Sequence, residues 1–388
     1  MTTEFDYIVV GAGCEGSATA YQLARRGHKV LLLEQFSLPT TRGSSHGPSR
    51  ITRRAYEQNT VYTQMMEDAF REWENLEKQT NTKLYHQTGL ILTSNTKSVL
   101  DAYRNSLSQC KLPYTDLTNT EINARFGPII HYHSSEFIGL FDPSGGVLNA
   151  DKCLAAFWSE FKRYGGVLKD ECKVIGISKG NMIDTDQDIS YRARKSIVLC
   201  LGAFAGPFLS AQLGLELPLA PQRISVYYWK TRNPTIDPRT IPCLMHYDHT
   251  DGTHYFGLPP PEKAGLYKFC IHNGPAIDAE SRDAPDTKFW LDLVKDRVQK
   301  YLPGLETSPS IVDSCIYTWT PDTNFIMDKH PKQPNIIIGA GFSGHGFKMS
   351  IVVGKILADL AADTKPSYDM SQFRIDRFSH SPAAKAKL

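Results

Sequence analysis

No run of apolar residues in this chain reaches the roughly 18–20 needed to span a bilayer. The N-terminus also lacks the basic stretch, apolar stretch and cleavage site of a secretory leader. Eight cysteines stand at 14, 110, 153, 172, 200, 243, 270 and 315, with no Cys-x-x-Cys pair among them. That spacing excludes the usual zinc and disulfide-exchange motifs, so no metal is expected. There is no Asn-x-Ser/Thr acceptor, and together these absences point to a soluble, unsecreted protein with free thiols. Charge of one sign is lacking as well: the net charge is +2 over 388 residues, without a Lys/Arg block. Nucleic acid is therefore not an expected partner, and neither is a membrane. A chain of this length accommodates two domains, at roughly 100–200 residues each.

What is present is concentrated at the amino end. Tyr7-Ile8-Val9-Val10 runs into Gly11-Ala12-Gly13-Cys14-Glu15-Gly16, an Ala-rich helix follows through Arg25, and a second strand, Lys29-Val30-Leu31-Leu32-Leu33, closes on Glu34. This is the dinucleotide-binding fingerprint in its proper context. Gly11 permits the tight turn, Gly13 lets the backbone approach a pyrophosphate, and Gly16 lets the helix pack closely on the sheet. Glu34 can accept from both ribose hydroxyls, which argues against a 2′-phosphate. The fingerprint alone does not separate NAD from FAD. Its position at the start of the chain suits FAD, with the remaining residues building a substrate domain over the cofactor.

Further along, a Gly/Ser-rich polar loop runs from Thr40 to Arg53. A helix is predicted from near Thr60 to Lys78, a strand over Gly89–Thr93, and a capping box at Thr118-Asn119-Thr120-Glu121. Asp151 is expected to cap a helix over Lys152–Tyr164. Lys173–Ile177 and Lys195–Ala203 read as strands returning to the nucleotide sheet. From Leu217 to about Leu302 alternating strands (Arg223–Trp229, His254–Gly257, Leu266–His272) with Pro-rich turns suggest an antiparallel sheet. The last part returns to the cofactor: strand Asn335–Ile338, a second Gly-rich turn Gly339–Gly346, and a helix from Phe347 to Leu360. The expected fold is thus α/β with an α+β substrate domain: a discontinuous Rossmann-like domain (1–85, 145–216, 310–380), a substrate domain (86–144, 217–309) and a flexible tail (381–388).

Two glycine turns, one for a pyrophosphate and one near a ring, suit a long cofactor such as FAD. Lys348, just inside the last helix, works against the helix dipole and suggests a nearby anion. Arg50 and Arg53 can hold a carboxylate or stabilise a reduced ring, or can equally be a surface pair. His46 is a polar loop residue on spacing alone. Cys315, at the end of an alternating strand, reads as a small buried hydrophobe. The chain ends in Ala386-Lys387-Leu388, a conservative variant of the Ser-Lys-Leu address read by the peroxisomal import receptor.

Taken together the motifs resemble the monomeric sarcosine oxidase family, and most of all its peroxisomal sarcosine/L-pipecolate oxidase branch. The resemblance rests on Ala12-Gly13, Leu32–Phe36, Arg42–Gly47, Gln87–Leu90, Ser144–Val147, Cys315–Thr318 and Ala340–Lys348, in the family's order and over nearly the whole chain. It implies a glycine/D-amino acid oxidase-like fold with FAD attached through its 8α-methyl group to Cys315. It also implies a substrate carboxylate held by Arg53 and Lys348. Arg50 and His46 supply positive charge beside the flavin, Lys268 promotes oxygen reduction, and His272 and Tyr317 line the pocket. Arg42, Ser45, Val174, Gly341, Phe342, Gly344, His345, Gly346 and Lys348 count with Gly11, Gly13, Gly16 and Glu34 as cofactor contacts. Phe256 departs from the family, which has an active-site tyrosine there; Tyr255 should point to the other face of its strand.

The implied activity is oxidation of a small secondary amino acid, sarcosine or L-pipecolate, by hydride transfer to flavin N5. The imine then hydrolyses or cyclises, and O2 yields hydrogen peroxide, in a peroxisomal monomer. The rival readings are an amine dehydrogenase with another acceptor, a non-catalytic flavoprotein, and an NAD-linked dehydrogenase.

Overall fold

The computed structural model describes residues 3–56, 60–127, 129–250, 252–284 and 288–378. The C-terminal tripeptide lies outside them.

The run Val30–Leu33 is buried at every position, as a strand covered on both faces of a parallel sheet must be. It pairs in parallel with Thr3–Val10, which pairs on its other side with Ser190–Leu199. Val167–Lys169 and Ile336–Ala340 extend this sheet in parallel at either flank. The hairpin of Val174–Ser178 and Met182–Thr185 lies beside the first half of Ser190–Leu199. The strand expected over Lys195–Ala203 starts earlier and stops at Leu199, before a 3-10 turn at Gly202–Phe204. The opening helix Cys14–Arg25 packs against helices Ala150–Arg163 and Ser350–Ala361.

A second eight-stranded sheet runs Ile311–Trp319, Ala220–Lys230, Leu266–Ile271, Thr253–Leu258, Cys243–Asp248, Leu90–Ser94, Ile138–Asp142, Thr115–Leu117. It is antiparallel except where Leu90–Ser94 meets Cys243–Asp248 in parallel. Two distant chain segments join there, with no hairpin to impose antiparallel pairing. Ile311–Trp319 pairs with the strand starting at Ala220, so it belongs to this sheet although the expected boundary at 310 placed it with the first. A small sheet of Ser49–Thr52, Gly146–Asn149 and Tyr85–Gln87 completes the strands that frame the site.

Three local expectations change. Asn149, not Asp151, caps its helix: its side chain accepts from the Lys152 amide at 3.3 Å, and Asp151 sits in the first turn. The last helix starts at Ser350, after a separate 3-10 turn Phe347–Met349. Lys348 is therefore ahead of the helix rather than inside it. Cys315 lies in the middle of its strand, paired with Ile224, and not at its end.

Candidate active site

A cavity of about 1270 Å³ opens between the sheets, lined by residues of all three. At its Gly11 turn the backbone has φ +99°, and a Cβ there would lie 2.2 Å from the Cys200 carbonyl oxygen. Only glycine fits. Glu34 closes the same corner: its carboxylate accepts from the Ala12 amide at 2.8 Å and the Phe36 amide at 3.1 Å. Burial raises its pKa while these amides lower it. Ser45 Oγ accepts from the Cys14 amide at 2.9 Å, which locks the 40–53 loop onto the helix N-terminus.

Gly13, Ser45, Val174, Gly341, Phe342, Gly344, His345 and Gly346 all line the cavity. Gly16 does not; it packs against the Gly11 carbonyl, as helix packing requires. Arg42 does not line it either. Its guanidinium turns away to the Asp283 carboxylate and, at 3.4 Å, the Glu280 carbonyl. Its charge is paired with the carboxylates of Glu280 and Asp283.

Arg50 is held by three carbonyls, those of Ser49 and Ser44 at 2.8 Å and of His46 at 2.5 Å, with its guanidinium 5.4 Å from the Phe347 ring centroid. It is a fixed positive charge on the cavity wall. Cys315 Sγ lies 3.6 Å from the Ser44 carbonyl, and Tyr317, two residues on, shares its strand face. Lys268 is buried between the rings of Tyr228 and Phe256, 5.9 and 6.0 Å from their centroids. Burial first, then Arg50, pushes its ammonium down to about 8.

His46 carries an unexpected pattern. Its Nδ1 lies 2.8 Å from the Gly43 carbonyl, which only accepts, and its Nε2 lies 2.7 Å from Nη2 of Arg282, which only donates. The proton is on Nδ1 and the lone pair on Nε2. Asp313 Oδ2 also stands 3.8 Å from Nε2, so His46, Arg282 and Asp313 form one polar cluster at this wall.

The far end gathers a second cluster. Lys348 Nζ donates to the His345 carbonyl at 3.0 Å and sits 5.5 Å from the Tyr56 centroid, while the Arg53 guanidinium lies 4.4 Å from the same ring. Burial and then Arg53 push Lys348 well below the usual lysine range. Two buried cations beside one ring are relieved by an anion between them, and a carboxylate is the natural choice. His345 Nε2 donates to the Thr323 carbonyl at 3.1 Å, leaving Nδ1 to accept from Tyr56 at 3.3 Å. Burial, with His254, Lys348 and Arg53 adding to it, drives His272 down to about 3, so it is neutral. Its ring meets those of Phe256 and Tyr317 edge-on. Gly344 must be glycine: φ is +73° and a Cβ would stand 2.7 Å from Tyr317. Tyr255 is buried on the opposite face, stacked on Phe269, as its position predicts.

Sequence reasoning missed Tyr56, Arg282 and Glu15. Glu15 lines the cavity with Oε1 2.7 Å from where a Gly346 Cβ would stand, and burial raises its pKa. Its position inside the first glycine motif was the available signal. Arg282 lies 236 residues from His46 and had none.

A glycine-turned nucleotide corner, a buried cation pair and one continuous cavity between them define a flavin-dependent oxidoreductase. Residues 6–360 match the model of the family described as DAO, FAD dependent oxidoreductase, and the chain belongs to it, as a member of the sarcosine oxidases. It is 42% identical over 385 residues to the peroxisomal sarcosine oxidase of Mus musculus, covering 98% of this chain and 97% of that protein. To the peroxisomal sarcosine oxidase of Homo sapiens it is 40% identical over 380 residues, 96% of each. Among solved structures, the open form of NikD, an unusual amino acid oxidase, superposes with TM-score 0.84 at 23% identity, covering 96% of this chain and 98% of that one. The protein is therefore a FAD-dependent amine oxidase by family.

Proposed function

We propose that this protein oxidises a small secondary amino acid, sarcosine or L-pipecolate, at the carbon beside nitrogen, with Cys315 bound covalently to FAD and O2 as acceptor. The observation that carries the reading is the buried pair Arg53 and Lys348, which calls for a carboxylate at one end of the cofactor cavity. The residues fit FAD: backbone approaches freely at Gly11 and Gly13, Glu34 offers its remaining lone pairs to a ribose, and Arg50 faces the ring's end of the cavity. When bound, FAD supplies a two-electron acceptor that O2 regenerates with release of hydrogen peroxide. The nucleotide end of the cofactor belongs to the first sheet, while the second sheet contributes Cys315, Lys268 and His272 to the ring end.

Arg53 and Lys348 bind the substrate carboxylate and fix which carbon faces inward. Neutral His272, with Tyr317 and Phe256, gives the amine a dry wall that favours its uncharged form. Lys268 places a buried cation where negative charge develops during oxygen reduction. That cation favours an oxidase over a dehydrogenase with another acceptor.

Residence in peroxisomes, as a monomer, belongs to the same reading. The mouse and human relatives are named peroxisomal, and peroxide is best released where it is destroyed. Deleting Ala386-Lys387-Leu388 from a fluorescently tagged chain should return it to the cytosol, and unchanged import excludes the tripeptide as the address. The test of the chemistry is anaerobic mixing of the purified protein with sarcosine and with L-pipecolate while following flavin absorbance. Bleaching is expected, faster with the preferred substrate; a yellow protein that neither bleaches overturns the substrate class.

A further inference from the structure

Behind the cavity wall lies a buried arginine that does not itself line the cavity but holds residues that do. Arg282 is 4% exposed, and its guanidinium spans two chain segments. Nη2 donates to His46 Nε2 at 2.7 Å and also to the Ser314 carbonyl, the residue before Cys315. Nη1 donates to the Asp283 carboxylate, and Asp313 stands 3.7 Å from Nη2. One donor fork therefore joins the 43–47 loop to the Cys315 strand. These are the two pieces that meet at the thiol, because Cys315 Sγ contacts the Ser44 carbonyl in that loop.

We propose that Arg282 is a positioning residue for flavin attachment: it fixes the His46 tautomer and sets the Cys315 strand against the 43–47 loop, so that the thiol meets the flavin 8α carbon. This rests on the reading that Cys315 carries the flavin. In that step the Sγ–C8α bond forms, the thiol S–H and one methyl C–H bond break, and two electrons pass through the ring system to O2, leaving as hydrogen peroxide with both protons. A guanidinium suits the task because it is always charged and donates in a fixed fork. Its second nitrogen, Nη1, holds the Asp283 carboxylate at the same time, which a lysine with a single nitrogen cannot do from a separate atom.

The test uses the purified flavoprotein as wild type, Arg282→Met and Arg282→Lys. The fraction of bound flavin that stays with the denatured polypeptide is measured by in-gel fluorescence, alongside total flavin and the thermal midpoint. In Arg282→Met the covalent fraction should fall on the order of tenfold while total flavin per folded protein is retained, and Arg282→Lys should recover part of it. A purely structural role lowers midpoint and total flavin together and leaves the covalent fraction of what remains unchanged; that result overturns the proposal. If Arg282→Met does not fold, a fully covalent Arg282→Lys overturns it and a reduced fraction supports it. Wild type that releases all its flavin on denaturation sinks the Cys315 reading, and this proposal with it.

Discussion

Lys268 is buried beside Arg50, and both features disfavour its proton, so its pKa falls to about 8. An unfolded chain holds that proton to about 10.5. Below about pH 8 the folded protein bears the full penalty of a buried ammonium, and the penalty lifts as pH rises from about 8 towards 10.5. Such a destabilised charge persists where function needs it. Lys268→Met should raise the thermal midpoint at pH 7, yet slow reoxidation of reduced flavin by O2 by about 10²–10³-fold, with anaerobic reduction by substrate little changed. Stopped-flow measurement of the two half-reactions checks this; equal slowing of both refutes an oxygen-specific role. Arg53 and Lys348 follow a different logic, because in the proposed function they bind the substrate carboxylate. Lys348→Ala should lower kcat/KM by about 2–5 kcal/mol, chiefly through KM, with flavin content unchanged. It should also relieve Arg53 of a like charge and leave stability equal or higher.

At the scale of elements, the glycine turns tolerate least. In Gly11→Ala the new methyl meets the Cys200 carbonyl in a left-handed backbone, so the strand-to-helix turn must open. Loss of flavin from the purified variant, with a destabilisation of about 1–3 kcal/mol or more, is the expected result. Retention of FAD with a normal midpoint would show that the turn can shift. Thr118→Ala removes a capping box that the structure contains as predicted, far from the cavity; it should cost about 1 kcal/mol and leave activity intact. The contrast shows what the sequence makes legible. Capping boxes, glycine turns and alternating strands are local signals, and they placed most elements within a few residues. The Cys315 strand and the parallel junction of Leu90–Ser94 with Cys243–Asp248 depend on which distant segments meet. Local pattern carries no record of that. The same holds within the site: Arg53 and Lys348 gained their roles from family resemblance, and only the fold shows them sharing Tyr56. Arg42 and Arg282 differ for the same reason: Arg282 is buried and bridges distant segments, while Arg42 pairs with the acidic groups at 280 and 283. Both are arginines in polar stretches, and only burial tells them apart.

Across the whole molecule, one cavity is walled by Gly11 and Glu34 from the first sheet, Lys268 and Cys315 from the second, and Arg50 from the small one. A cofactor lying in it touches three pieces whose direct contacts with one another are interrupted by that same space. Its binding energy is then partly the energy that holds the sheets together. A ligand that binds the folded state alone adds about 4 kcal/mol at a thousandfold excess over its dissociation constant. Cys315→Ser frees the flavin from the proposed bond while changing one buried atom, so FAD can be dialysed away and returned. Removal should lower the thermal midpoint by roughly 5–10 °C, and added FAD should restore it in proportion to the logarithm of its concentration. Differential scanning calorimetry of the two forms checks this. FAD that leaves the midpoint unmoved would show that it does not bind the folded state preferentially and so does not join the sheets. A midpoint that recovers, with protease-sensitive sites of both sheets protected together, would show that the residues binding the nucleotide and those binding the amine are coupled through the cofactor between them.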